Sequence, residues 1–277
     1  MKQMRQYSRL MGAVCGDIVG SIYEFDPVKT KKFPLFSSLS EFTDDTVMTL
    51  AVAKALAESH AHEDVEGFKQ VLIRTMHEFG KRYPDVGYGG KFLRWLEMGS
   101  TEPYNSCGNG SAMRVSAVGW YARSLEEAEA LAKASAEVTH DHPDGIDGAI
   151  VTAGAVYLAR MGEDKAVIRE YVSRYYDLDF TLDDIRPTYR FEVTCFWSVP
   201  QSVVAFLEGN SYEDTIRNAI SLGGDADTQA AIAGAIAEAY YGMPEELEET
   251  AMSYLDEYLL DAADAFFLCL EARNGDE

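Results

Sequence analysis

The sequence predicts an all-α protein, a single compact domain over residues 1–277 built from many short helices. Apolar residues recur with a helical period nearly throughout the chain. Strand signals are scarce: residues 189–197 are the best candidate and read equally well as loop. No Pro/Ser-rich linker, low-complexity tract or composition break divides the 277 residues, and 47% hydrophobic residues suffice for a substantial core.

The elements follow in order. Gly12, Gly16 and Gly20 recur every four residues, leaving one face of a first helix nearly bare backbone. A second helix spans 47–59, after Thr43-Asp44-Asp45-Thr46. Val65, Phe68, Leu72 and Phe79 mark a third, ending near Gly80 and Pro84. Ser124 with Glu127 is a capping-box pattern opening a helix over 125–138, and Ser211 with Asp214 opens another that runs to about Leu222. Residues 145–160 and 229–241 are rich in Gly and Ala. Glycine costs about 1 kcal/mol against alanine inside a helix, so its use here predicts close helix–helix approach. Pro244 suits the first turn of an acidic helix after Gly242.

A net charge of −22 argues against an extended nucleic-acid surface, which needs clustered Lys and Arg. Cys15, Cys107, Cys195 and Cys269 form no CxxC pair and read as reduced, packed thiols, neither a disulfide framework nor a zinc cage. Lys2, Arg5 and Arg9 before the apolar run 10–15 imitate a secretory signal, but Asp17 cuts that run short. No stretch approaches the length of a membrane span, and the expectation is a cytoplasmic protein without membrane association.

Two acidic helix starts carry the chemistry. Thr43-Asp44-Asp45-Thr46 precedes one apolar helix, and Asp225-Ala226-Asp227-Thr228 precedes another. Either alone reads as a cap, since Asp and Thr favour helix N-termini. Their duplication asks for more. If the starts meet, each carboxylate pair about 5 Å apart costs about 3 kcal/mol at an effective dielectric near 20, so the acids protonate or take up a cation. Oxygen donors without Cys or His suit Mg²⁺ or Mn²⁺ over Zn²⁺. Gly223-Gly224 would let the backbone turn tightly into the second start. Asp17 and Glu24, seven apart, share a helix face, and Glu24 reads as a catalytic acid or base or as a solvated helix end.

The loop Gly108-Asn109-Gly110-Ser111-Ala112-Met113 exposes backbone N–H groups of the kind that cradle a pyrophosphate, although Asn-Gly is also a turn signal. Gly87-Tyr88-Gly89-Gly90 is a fainter loop of the same sort. His140-Asp141-His142 joins two helices without further zinc ligands at a suitable spacing, leaving His140 as a capping-turn or ligand-contacting residue.

Together, GDIVGSIYE (16–24), FTDDTVMTLAVA (42–53), GNGSAMR (108–114), THDHPDG (139–145) and GGDADTQAAIAGAIA (223–237) resemble the ADP-ribosylglycohydrolase family, in the family's order. The resemblance implies a compact fold of short, orthogonally packed helices around two divalent cations, Mg²⁺ or Mn²⁺. It implies Thr43, Asp44, Asp45, Asp225, Asp227 and Thr228 as metal ligands, and Glu24 with Asp44 as catalytic residues. Gly108, Asn109, Gly110, Ser111 and Met113 match the segment that wraps a diphosphate, and His140 matches a histidine near the adenosine. The implied partner is an ADP-ribosylated protein or small molecule, cleaved at the anomeric carbon. Glu238 departs from the pattern, standing where a small residue is common, and residues 178–197 and the acidic segment after Met243 match nothing assignable. A metal-dependent phosphohydrolase and a non-catalytic ADP-ribose-binding protein remain alternatives.

Overall fold

The computed structural model describes residues 9–275; Lys2 and Arg5 of the signal-like start lie outside them. The helices are α1 (Met11–Gly20), α2 (Asp44–Glu58), α3 (Val65–Arg82), α4 (Gly90–Glu97) and α5 (Gly110–Met113). They continue as α6 (Ser116–Tyr121), α7 (Leu125–Glu137), α8 (Pro143–Arg160), α9 (Lys165–Val172) and α10 (Leu182–Ile185). The last are α11 (Cys195–Glu208), α12 (Tyr212–Ile220), α13 (Ala226–Tyr241), α14 (Glu245–Ser253) and α15 (Glu257–Gly275). Among the described residues there is no strand, only an isolated antiparallel bridge between Gly108 and Thr194. The fold is all-α, as the periodicity predicts.

The strand-like segment 189–197 is loop up to Thr194, the N-cap of α11. Its β-branched and aromatic residues make a wall rather than a ladder: Phe191 and Val193 stay substantially exposed. Helix starts match the capping chemistry closely. Ser124 accepts from Glu127 N, and Ser211 accepts from Asp214 N at 3.1 Å. The reciprocal half of the first box lands one residue early, with Glu127 accepting from Arg123 N at 2.7 Å. Pro244 sits at the N-cap of α14 rather than inside its first turn.

Buried residues from nearly every helix form one hydrophobic cluster, with α13 buried along its first thirteen residues, Ala226 to Glu238. Its main neighbour is α1, and the glycine stripe explains how closely they lie. A Cβ at Gly12 would lie 2.6 Å from the Gly234 carbonyl oxygen, at Gly16 2.2 Å from that of Ala230, and at Gly20 2.4 Å from Asp227 Cα. The two backbones therefore touch, and Asp17 and Glu24 are carried to the start of α13. Gly16→Ala is expected to destabilise the protein by about 1–3 kcal/mol through overpacking. An unchanged melting temperature would remove this account of the stripe.

Glu238, the departure from the family's pattern, has a structural task. The N-cap of α1, Leu10, supplies no side-chain acceptor. Glu238 reaches across from α13 and accepts from Arg9 N at 2.7 Å and Gly12 N at 2.9 Å. Burial lifts its carboxyl to about 8 against an ordinary 4.5, more than these donors lower it. The folded chain thus binds this proton more tightly than the unfolded chain, so the group's contribution to stability falls as pH rises from 4.5 to about 8. Glu238→Gln should flatten that part of the pH–stability profile; melting curves parallel to wild type across it would contradict the assignment.

Candidate active site

The two acidic starts meet. Thr228 Oγ1 at the head of α13 donates to Asp45 Oδ2 at the head of α2, at 3.2 Å and across 183 residues of sequence. Each start is shaped locally. Thr43 caps α2, its hydroxyl accepting from Asp45 N at 3.3 Å, so Asp44 and Asp45 fall in the first turn, where their charge is favoured. At the second start, Gly223 takes φ +61° and delivers the chain into Asp225.

Asp17, from α1, ties the first start in place. Its Oδ2 accepts from Thr43 N at 2.9 Å, Thr46 N at 3.0 Å and the Thr46 hydroxyl, while Oδ1 accepts from Thr43 Oγ1 at 2.7 Å. Asp225 is held from another direction: Asn109 Nδ2 donates to its Oδ2 at 2.7 Å and to Ser198 Oγ at 3.1 Å. Thr228 N donates to Asp227 Oδ1 at 2.8 Å.

Two triads of carboxylate oxygens result, each within 4.8 Å of one another: Asp17, Asp45 and Asp227, and Glu24, Asp225 and Asp227. Asp227 belongs to both. Burial, then neighbouring carboxylates with Asp227 first, push Asp44 and Asp45 well above the usual range. Asp227 is raised well above its ordinary value for the same reasons, with Asp225 the foremost charge. Burial lifts Asp225 to about 6, and burial followed by the charges of Asp227 and Asp17 lifts Glu24 to about 8. Among the described residues, none of the main influences on them is a Lys or Arg charge. Asp45 Oδ1 is buried without a hydrogen-bond partner. Concentrated negative charge, oxygen-only donors and an orphaned carboxylate oxygen fit a hard divalent cation.

The carboxylates line a cavity of about 430 Å³, within the range of small-molecule sites. Thr43, Asp44, Asp45, Asp225, Asp227, Thr228 and Glu24 all line it, as do Gly108, Asn109, Gly110, Met113 and His140. Ser111 does not: its hydroxyl is fully buried and donates to the Gly145 carbonyl at 2.6 Å, turned away from the cavity. Asn109 faces the carboxylates through its amide. The fainter loop contributes too, with Gly87, Gly89 and Gly90 on the wall.

His140 is buried, with Nδ1 2.8 Å from Thr139 Oγ1 and its ring tilted against Tyr104 at 5.8 Å between centroids. Burial, reinforced by the charges of Arg114 and Lys91, holds its pKa well below the usual value, so the imidazole is neutral. Its Nε2 lies beside the glycine loop, 3.2 Å from where a Cβ at Gly110 would stand. Phe25, next in sequence to Glu24, stacks at 6.1 Å on Phe191 of the cavity wall. Sequence reasoning missed the aromatic wall of Phe92, Tyr104 and Phe191 and the cation Arg114. The basic residue ending GNGSAMR was the one available signal for the last of these.

Among the described residues no helix is long and apolar enough to cross a membrane. The chain is 32% identical over 329 aligned positions to human ADP-ribosylhydrolase ARH3, covering 88% of each protein. It is 27% identical to the ADP-ribosyl-[dinitrogen reductase] glycohydrolase of Rhodospirillum rubrum, over 78% of this chain and 74% of that protein. A solved ADP-ribosylglycohydrolase-related protein complex superposes with a TM-score of 0.67 at 21% identity, over 95% of this chain and 97% of that one, a likeness of fold. The family description "ADP-ribosylglycohydrolase" matches residues 3–275, and the chain belongs to this family of hydrolases.

Proposed function

We propose that this chain releases ADP-ribose from an ADP-ribosylated acceptor by hydrolysis at the ribose anomeric carbon, assisted by two divalent cations, Mg²⁺ or Mn²⁺. The observation that carries this reading is the meeting of the two acidic helix starts, joined by Thr228 and Asp45, on the wall of a ligand-sized cavity. Thr43, Asp44, Asp45, Asp225, Asp227 and Thr228 would hold the cations. When bound, the cations supply Lewis acidity to the ribose and to an attacking water.

The remaining steps belong to the chain itself. The bond from the anomeric carbon to the acceptor breaks, and a bond from that carbon to water oxygen forms. Asp44, on the cavity wall, orients that water and accepts its proton. Glu24, which lines the cavity beside Asp227, returns a proton to the departing acceptor. Asp17, which does not line the cavity, fixes Thr43, and Asn109 fixes Asp225 through its side-chain amide. Residues 108–110 and Met113 receive the diphosphate, and His140, as a neutral imidazole, faces the nucleoside part.

The test is an assay with Mg²⁺ or Mn²⁺ against ADP-ribosyl-arginine, ADP-ribosyl-serine, ADP-ribosylated nucleic-acid ends and small ADP-ribosyl metabolites, reading free ADP-ribose and inorganic phosphate separately. Release of ADP-ribose from one acceptor is expected. Phosphate release without ADP-ribose would favour a phosphohydrolase, and binding without turnover of any acceptor would favour a non-catalytic ADP-ribose-binding protein.

A further inference from the structure

Arg114 is an anomaly of charge. In a chain of net charge −22 it is 1% exposed and forms no ion pair among the described residues. Both of its hydrogen bonds leave from Nη2, to the Ser135 carbonyl at 2.8 Å and to Thr139 Oγ1 at 2.9 Å, and both acceptors are uncharged. Its Nε is buried with no partner. Burying a cation without a counter-charge is costly, and proteins rarely leave one unpaired. Support of Ser135 and Thr139 alone would need hydrogen-bond donors but no charge.

Arg114 lines the cavity, as do Tyr104 and His140. Lys91, on the first turn of α4, lines the same cavity from an exposed position. Both cations act on His140. The cavity therefore carries both signs of charge: Glu24, Asp44, Asp45, Asp225 and Asp227 line it together with a buried arginine and an exposed lysine.

We infer that Arg114, with Lys91 at the rim, is the fixed counter-charge for the diphosphate of the bound ligand, so that the ligand's anion completes an ion pair the protein leaves open. This rests on the ADP-ribose reading above and adds to it the residues that recognise the anionic part.

The test measures dissociation constants of ADP-ribose and of uncharged adenosine, with Mg²⁺ present, for wild type, Arg114→Met, Arg114→Lys and Lys91→Ala. Arg114→Met is expected to weaken ADP-ribose binding by roughly 10- to 100-fold, the range for a lost charge-assisted interaction, and to leave adenosine within about two-fold. Arg114→Lys should restore most of the loss. Lys91→Ala, an exposed change that does not threaten folding, should weaken ADP-ribose several-fold and adenosine not at all. Equal losses for both ligands in Arg114→Met would mark a merely structural residue and overturn the inference. So would an unchanged ADP-ribose affinity in Lys91→Ala, even if Arg114→Met fails to fold. Wild-type protein that binds adenosine but not ADP-ribose would remove the underlying reading and this inference with it.

Discussion

Asp227→Asn is expected to lower turnover on the order of 10³-fold or more and to stabilise the metal-free protein. Both effects have one cause. Asp227 is the carboxylate common to the two triads and the foremost charge raising Asp44 and Asp45. Replacing it removes an anionic oxygen from each cluster, and Lewis-acid stabilisation worth several kcal/mol goes with it. In the absence of cations the same carboxylate only adds repulsion, or a protonation cost, to a buried site. Its loss should therefore raise stability in EDTA by about 1–3 kcal/mol, a shift of a few degrees for a chain of this size. Added Mg²⁺ should raise the melting temperature of wild type and have little effect on the variant. Wild-type turnover by Asp227→Asn at saturating Mg²⁺, or a lower melting temperature in EDTA, would show that the starts of α2 and α13 are ordinary caps.

Glu24→Gln should lower kcat by roughly 10²–10⁴-fold, the usual worth of a positioned acid or base, while the dissociation constant for ADP-ribose changes only a few-fold. Glutamine keeps the shape of the side chain and its reach into the cavity but cannot give up a proton. The loss should be much smaller for a substrate whose leaving group departs as a stable anion, because such a group needs no proton from Glu24. A variant equally impaired on both substrates, or one that loses binding and turnover in proportion, would place Glu24 among the ligand-holding residues instead.

Much of this was legible in the sequence, for identifiable reasons. Caps are local: Ser124, Ser211 and Thr43 each accept from a backbone N–H two or three residues on, so pattern and structure agree there. The Gly12–Gly16–Gly20 stripe carried its meaning because only bare backbone lets α1 touch α13. The paired acids were legible through duplication, although only the fold brings Asp45 within hydrogen-bonding distance of Thr228.

What stayed hidden is non-local. The segment 189–197 has strand composition, yet its side chains close a cavity and stack on Phe25, an arrangement no period encodes. Ser111 belongs to a glycine loop that reads as ligand-facing, but one turn of α5 rotates its hydroxyl onto Gly145. Asp17 reads only as sharing a helix face with Glu24, whereas its four hydrogen bonds to Thr43 and Thr46 make it the clamp that orients the first start. Glu238 looks like a blemish in a small-residue helix until Gly12 and Arg9 are seen to donate to it.

The central claim, that the heads of α2 and α13 together form a two-cation centre, is tested most directly by counting Mn²⁺ bound at equilibrium to metal-stripped protein. The account predicts two ions per chain in wild type and loss of tight binding in Asp227→Asn. No ion retained at millimolar Mn²⁺, or an undiminished count in the variant, would contradict it.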